Sequence, residues 1–109
     1  TFAPDLADAA LTIAAKPGAF GVFHCVGGGA TTWAGFAEEI FRQSQARGGP
    51  SAAVKHISSA EFPVRAKRPA NSRLDCSKLE GAYGIYLRPW RSALADCMDQ
   101  IAQSGWSVE

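Results

Sequence analysis

The stretch GVFHCVGGGATTWAGFAEEIF, residues 21–41, decides the predicted fold. Its opening GVFHCVG, residues 21–27, is a short β-branched and aromatic run bounded by glycines, which is typical of a buried strand. The glycine-rich GGGATT that follows, residues 27–32, predicts a tight turn. Thr31 or Thr32 then supplies the side-chain oxygen that caps the next helix.

The segment after this turn predicts a helix, because its apolar residues recur at helical spacing from Trp33 until Gly48-Gly49-Pro50 ends the pattern. A second apolar run, AAVKHI at residues 52–57, predicts another strand. Strand, helix and strand in that order form a βαβ unit with parallel strands. We therefore predict an α/β fold class: a small parallel βαβ sheet with four to five helices against it.

The remaining helices are predicted outward from this unit. Residues 5–15 carry one apolar stripe, with Pro4 in the first turn and Pro17-Gly18 at the end. The stretch SSAEFP (58–63) is predicted to form a single helical turn capped by Ser58 or Ser59. A short helix capped by Asp75 is predicted to run through Leu79 and to end near Gly81 or Gly84. The last helix is predicted to start at Pro89, with Trp90 in its apolar stripe. We expect Trp33 and Trp90 to pack in the core, with ligand stacking as the alternative.

Composition bounds the function. The chain has 109 residues, a net charge of +1, 47% hydrophobic and 19% charged residues, which predicts one soluble globular domain, residues 1–109. The low net charge argues against nucleic-acid and membrane-surface binding. The three cysteines lack C-x-x-C spacing, which favours reduced thiols in a cytoplasmic protein and argues against a zinc site. Because Thr1 is not a methionine, we expect a piece of a longer protein.

No complete catalytic motif is present. The GGGATT turn matches neither a P-loop nor G-x-G-x-x-G, so a tight turn is preferred over a phosphate cradle. Tyr83 and Tyr86 are each followed four residues later by Leu87 and Trp90 rather than by lysine. We interpret the acidic residues near the first helix start as favourable partners of the helix dipole.

The loop at residues 63–73 is rich in cations. Four of the chain's 11 basic residues lie there: Arg65, Lys67, Arg68 and Arg73. A solvated charged loop is one interpretation. The other is a ligand site, because Pro69 stiffens the loop and Asn71 and Ser72 add neutral hydrogen-bonding groups. Arginine binds phosphate oxygens in a bidentate way while amides and hydroxyls suit sugar hydroxyls, so this loop fits a phosphorylated sugar.

Three stretches resemble a known family. KRPANSRLDCSKL (67–79), GGGATTWAGFAEEIF (27–41) and LRPWRSALADCMDQI (87–101) look like the C-terminal, substrate-binding part of dTDP-4-dehydrorhamnose reductases, which are extended short-chain dehydrogenases. The resemblance implies a full-length parent that uses NAD(P)H on an N-terminal Rossmann domain to reduce dTDP-4-dehydro-L-rhamnose. It also implies homodimers, assisted by Mg²⁺ as in some members.

The resemblance assigns substrate-binding residues but no catalytic, cofactor or metal residue to this chain. In related enzymes an arginine of this motif contacts the substrate diphosphate, which implies that role for Arg68, and the residue three positions on contacts the ribose, which implies that role for Asn71. Lys67, Ser72 and Arg73 are secondary candidates. Alone, the chain is expected to be inactive, to hold no bound cofactor, and to expose an apolar face that packs on the Rossmann domain.

Two alternatives remain at this stage. The non-catalytic regulatory subunit of methionine adenosyltransferase has a similar R-P-x-N-x-x-L-D-C-S-K-L run, and other sugar-nucleotide epimerases or dehydratases are related. Ser72 and the tail PWRSALADC, residues 89–97, favour the reductase.

Overall fold

The computed structural model describes residues 1–16, 18–62 and 64–106, which form two compact units. The first unit contains Thr1–Ala30 and Arg73–Cys97, and the second contains Thr31–Ser72 and Met98–Glu109. The elements are α1 (Ala3–Ala15), α2 (Trp33–Ala46), a 3₁₀ turn (Ser59–Glu61), α3 (Ser77–Tyr83) and α4 (Trp90–Ser104). Among the described residues, no helix is long and apolar enough to cross a membrane.

Helix α1 in the first unit confirms the predicted N-terminal helix. Pro4 lies in its first turn, where a missing N–H costs nothing because no intrahelical partner exists there. Ala9, from the predicted apolar stripe, is buried. The helix ends at Ala15; Pro17, which was predicted to help stop it, lies outside the described residues.

Helix α3 is the centre of the first unit's core. The N-cap residue of α3 is Cys76 and not the predicted Asp75, which lies one position earlier and whose carboxylate accepts a hydrogen bond from the Ser77 N–H at 2.9 Å. The helix ends where Gly84 adopts a left-handed conformation with φ 64° and donates its N–H to the Glu80 carbonyl. Leu79, which is 1% exposed, anchors α3 in the core.

The predicted parallel βαβ sheet is wrong. Across residues 1–16, 18–62 and 64–106 there is no sheet, and the β-type pairing present is one isolated parallel bridge between Gly28 and Pro89. Residues 21–27 belong to the first unit and residues 52–57 to the second, and no ladder joins them. The α/β assignment is therefore replaced by a helical architecture with long extended connections.

Helix α3 explains why residues 21–27 need no strand partner. Side chains of α3 and its N-cap donate hydrogen bonds to carbonyls of the extended segment and its approach: Tyr83 Oη to Ala19 O at 2.8 Å, Lys78 Nζ to Val22 O at 2.9 Å and Cys76 Sγ to Val26 O at 4.0 Å. The Phe23 ring packs edge-on against Tyr83, with centroids 5.4 Å apart. Contacts with α3 thus provide hydrogen-bond partners and packing for a segment whose apolar sequence pattern resembles a strand.

Residues 52–57 in the second unit lack a buried face. Val54 is half-buried, whereas the other five side chains are exposed. A strand needs a neighbouring strand for its backbone groups and a covered face for its apolar residues, and these residues have neither within the described part of the chain.

Helix α2 in the second unit begins as predicted. Thr32 is its N-cap, and its hydroxyl accepts a hydrogen bond from the Gly35 N–H at 3.0 Å. The 3₁₀ turn after Ser58 confirms the predicted single turn, although Pro63 at its end lies outside the described residues. The core-packing prediction for Trp33 is wrong, since this side chain is 86% exposed. Helical periodicity identifies the apolar face of a helix, but it does not show which residues along that face are covered by the rest of the protein.

Helix α4 follows Pro89 as predicted and contributes to both units. Its residues up to Cys97 belong to the first unit, where Ala93 is buried. Met98 and the following residues belong to the second unit, where Met98 is 4% exposed. In that unit Arg47 Nε donates to Asp99 Oδ1 at 2.7 Å and so ties the end of α2 to α4.

Candidate functional site

A cavity of about 230 Å³ lies in the first unit between the extended segment, the glycine turn and α3. Its polar and reactive lining consists of Cys25, Asp75, Cys76, Glu80 and Tyr86, and Leu74 and Leu79 contribute to the apolar lining. The cavity therefore combines two thiols and two carboxylates with apolar side chains, and at about 230 Å³ it is smaller than the roughly 300–1,000 Å³ typical of small-molecule sites.

The glycine turn, residues 27–29, forms one wall of this cavity and is held by backbone bonds. Gly28 N–H donates to Arg88 O, and Trp90 N–H donates to Gly28 O, both at 2.9 Å. A β-carbon on Gly28 would lie 3.2 Å from the Leu87 carbonyl oxygen, so the close approach favours glycine. The Gly28 amide is already bonded, which supports the tight-turn interpretation over the phosphate cradle.

The two cavity thiols come from opposite walls. Cys25 lies in the extended segment and Cys76 is the N-cap residue of α3; both are half-buried and neither is in a disulfide. Burial raises the pKa of the Cys25 thiol, and the charge of ionised Cys76 raises it further.

Asp75 contributes an ionised carboxylate to the cavity rim. The backbone N–H of Ser77 lowers the pKa of this carboxyl first, and a hydrogen bond from the Ser77 side chain and the charge of His24 lower it further. The group therefore remains charged well into the acidic range, and its Oδ1 stays available to the start of α3.

Arg88, which does not line the cavity, forms ion pairs with two aspartates of the first unit. Its guanidinium donates to both carboxylate oxygens of Asp5 in α1 and to Asp96 in α4, and it lies 5.7 Å from the centre of the Phe2 ring. The hydrogen bonds to Asp5, and then the hydrogen bond to Asp96, raise the pKa of Arg88. Sequence reasoning attributed Asp5 to the helix dipole and missed this cluster, because no local signal links residues so far apart in the chain.

The five residues predicted to bind substrate lie outside the cavity. Lys67, Arg68, Asn71 and Ser72 are exposed residues of the second unit, and Arg73, also exposed, is the first residue of the segment that returns to the first unit. The cavity lining contains none of these five residues, although Leu74, the residue after Arg73, is part of it. Their assignment to the substrate therefore stays a prediction.

The described residues offer no metal site. Within residues 1–16, 18–62 and 64–106, no three His, Cys, Asp or Glu side chains come together in a way that could hold a metal ion, and we assign no Mg²⁺ ligand to them. The elements that hold and use a nicotinamide, a glycine fingerprint and a Tyr-x-x-x-Lys pair, do not occur in the sequence.

Comparison with known proteins gives a consistent set of relatives. The family model of the RmlD substrate binding domain matches residues 1–103. A dTDP-4-dehydrorhamnose reductase of Sinorhizobium fredii is 40% identical over 99 residues, which is 85% of this chain and 33% of that protein. A probable dTDP-4,6-dihydroxy-2-methyloxan-3-one 4-ketoreductase of Streptomyces antibioticus is 36% identical over 101 residues, covering 93% of this chain and 33% of that protein.

A third relative, the dTDP-4-dehydrorhamnose reductase of Aggregatibacter actinomycetemcomitans, is 35% identical over 101 residues, covering 86% of this chain and 34% of that protein. The chain thus spans about one third of the length of the curated relatives it matches. The search of solved structures produced no match.

Proposed function

This chain belongs to the RmlD substrate binding domain family, and from that membership we propose that it is the substrate-binding part of an NAD(P)H-dependent reductase that converts dTDP-4-dehydro-L-rhamnose to dTDP-L-rhamnose. The family match over residues 1–103 is the observation that carries the proposal. The reductases of Sinorhizobium fredii and Aggregatibacter actinomycetemcomitans support the choice of reaction. Residues 1–109 are then one sugar-nucleotide-binding domain fragment of a cytoplasmic enzyme.

The role of this chain in that reaction is to position the substrate. Arg68 would bind the diphosphate, with its guanidinium donating two parallel hydrogen bonds to phosphate oxygens, and Asn71 would bind the ribose hydroxyls. Lys67, Ser72 and Arg73 would add charge and hydrogen bonds around them. These contacts lie far from the reacting C4 carbonyl, so their binding energy serves to orient that carbon. A bound nicotinamide would supply the hydride from the Rossmann part of the enzyme.

Exposed apolar side chains in the first unit support a missing partner domain. Phe20 is 100%, Val22 77%, Tyr86 72% and Leu11 70% exposed. Exposed apolar side chains indicate an interaction surface where they form a continuous patch. In our proposal the Rossmann domain of the parent enzyme covers some of them. A homodimer of the parent, assisted by Mg²⁺, belongs to the same proposal and depends on residues of the larger protein.

A second candidate function is the reduction of a different dTDP-linked 4-keto sugar. The Streptomyces antibioticus relative, whose match covers 93% of this chain, is named as a 4-ketoreductase of a dTDP sugar other than dehydrorhamnose. The diphosphate and nucleotide contacts would serve either substrate equally, because both sugars carry dTDP. Sugar specificity would then be decided by residues outside the basic loop.

The test is an assay of the full-length parent enzyme with NADPH and NADH. We expect nicotinamide oxidation with dTDP-4-dehydro-L-rhamnose, and no oxidation by the 109-residue chain alone. Oxidation only with another dTDP-4-keto sugar would support the second candidate. If no dTDP-4-keto sugar is reduced, both candidates are wrong, and a non-catalytic role for the parent becomes the better hypothesis.

A further inference from the structure

Two of the three cysteines share the walls of the cavity in the first unit. Cys25 lies on the extended segment that precedes the glycine turn, and Cys76 lies at the N-cap of α3. The sulfur of Cys76 is 4.0 Å from the carbonyl oxygen of Val26, the residue next to Cys25. Cys76 and Val26 are 50 positions apart in the sequence, so the fold brings Cys76 next to the residue that follows Cys25.

Their electrostatic coupling agrees with this geometry. Burial raises the pKa of the Cys25 thiol, and the charge of ionised Cys76 raises it further. The third cysteine, Cys97 in α4, is also half-buried but does not line the cavity. Cys25 and Cys76 therefore share a cavity from which Cys97 is absent.

We propose that Cys25 and Cys76 form a reversible disulfide by exchange with a low-molecular-weight disulfide. Both thiols are half-buried rather than enclosed, and the cavity between them gives an oxidant a route to either sulfur. The bond requires the two Cα atoms to lie within about 7 Å of each other with their Cβ atoms facing one another.

The exchange reaction needs no reactant other than the two cysteines and the disulfide oxidant. The thiolate of Cys76 attacks one sulfur of the oxidant, forms a mixed disulfide and releases one thiolate. The Cys25 thiol then loses its proton, and its thiolate attacks the Cys76 sulfur and releases the second thiolate. The two cysteines lose two protons and two electrons, and the oxidant is reduced to two thiols. Cys76 attacks first because burial disfavours the thiolate of Cys25.

The bond would fix the start of α3 to the extended segment. In the reduced protein the direct link between Cys76 and that segment is a long S–H contact to a carbonyl, which is weak. A covalent bond in its place would restrict the opening of α3 away from residues 21–27 and narrow the cavity. We therefore expect the oxidised chain to have a higher Tm than the reduced chain.

The experiment incubates the 109-residue chain with oxidised glutathione, alkylates the remaining thiols and digests with trypsin without reduction. Arg42, Arg73, Lys78 and Arg91 separate the three cysteines into three different peptides, so each pairing has its own mass. We expect the peptides of Cys25 and Cys76 joined, with a mass lower by two hydrogens than the two reduced peptides, and Cys97 alkylated. Dithiothreitol should reverse the linkage.

Oxidation in denaturant is the matched control, because it removes the folded geometry. In the unfolded chain Cys76 and Cys97 are closer in sequence than Cys25 and Cys76, so loop-closure entropy favours the pairing of Cys76 with Cys97. The folded chain should reverse that preference. Cys97→Ser should retain the linkage, and Cys76→Ser should abolish it.

Three results would overturn the proposal: the same pairings in folded and denatured chains, glutathione adducts without an internal disulfide, or three alkylated thiols after oxidation. Because the linkage is read in the unsubstituted chain, the result does not depend on whether a cysteine variant folds.

Discussion

The guanidinium of Arg88 holds both oxygens of the Asp5 carboxylate, with Nε 2.9 Å from Oδ2 and Nη2 3.2 Å from Oδ1. The two residues come from opposite ends of the chain, and the third guanidinium nitrogen reaches Asp96 in α4. This bidentate contact links α1 to the segment before α4 within the first unit. Asp5 is 21% exposed, so its charge is partly removed from water and depends on this partner.

Arg88→Ala should therefore lower the Tm of the chain by several degrees, because it leaves the carboxylates of Asp5 and Asp96 close together without their shared cation. Arg88→Lys should give an intermediate Tm, since an ammonium keeps the charge but cannot make the bidentate contact. Arg42→Ala, which removes an exposed arginine paired with Glu39 on the same helix, is the control and should change Tm little. Equal Tm values for Arg88→Ala and Arg42→Ala would contradict the role of this cluster.

Leu79→Ala should destabilise the first unit more than any surface change. Leu79 is 1% exposed, and truncation of a buried leucine typically costs about 2–5 kcal/mol through lost burial and the cavity left behind. Leu11→Ala is the matched control, because this leucine of α1 is 70% exposed and its loss should stay within about 0.5 kcal/mol. Denaturant unfolding of both variants measures the difference, and similar free energies would show that α3 is not the core of the unit.

Gly81 inside α3 and Gly84 at its C-cap should respond to substitution by alanine with opposite changes in stability. Gly84, with φ 64°, is left-handed at the helix end, so Gly84→Ala should cost about 1 kcal/mol. Gly81 lies inside the helix and an added β-carbon meets nothing within 4 Å, so Gly81→Ala should stabilise by about 0.5–1 kcal/mol. Thermal unfolding of the two variants distinguishes them. A stabilising Gly84→Ala would mean that α3 does not end at this residue.

Protonation of Asp75 in acid should lower the stability of the first unit. Its pKa is lowered in the folded chain, mainly by the Ser77 N–H, so the carboxylate contributes stability above the ordinary aspartate pKa of 3.8. That contribution is lost as the pH falls through the lower folded value, because the protonated group is a weaker acceptor. Asp75→Asn should reduce the dependence of Tm on pH below pH 3.8 and lower Tm at neutral pH. An unchanged acid profile would contradict the hydrogen bond.

The sequence predicted the helical elements well because their signals are local. Thr32, Ser58 and Pro89 each mark a helix start within one or two residues of the turn that they support. Pro4 and Gly84 act through the conformation of their own backbone, which the residue type largely determines. Such features need no knowledge of what lies elsewhere in the chain.

The sheet and the charged cluster could not be predicted in the same way, because both depend on contacts between distant residues. Whether Val22 and Val26 belong to a strand depends on what their carbonyls meet, and here they meet Lys78 and Cys76. Local sequence cannot distinguish a buried strand from an extended segment that lies along a helix. The placement of Cys25 and Cys76 on one cavity has the same origin, since it follows from how the extended segment lies against α3.

Arg68→Ala in the full-length parent enzyme should raise KM for the dTDP-sugar by about tenfold or more, as expected for the loss of a charge-assisted hydrogen bond to the diphosphate. The turnover number should fall as well, because the same contact is proposed to orient the C4 carbonyl toward the nicotinamide. Steady-state kinetics with varied sugar nucleotide and saturating NADPH measures both quantities.

The matched control is Arg65→Ala, which removes another exposed arginine of the same loop and so the same unit of charge. If Arg68 acts through a specific contact, Arg65→Ala should leave KM near the wild-type value, and Arg68→Lys should recover only part of the affinity because lysine lacks the bidentate fork. If the loop acts only through its positive field, both alanine variants should raise KM equally and the effect should disappear at high salt. An unchanged KM for Arg68→Ala would remove this residue from the substrate site while leaving the proposed reductase activity intact.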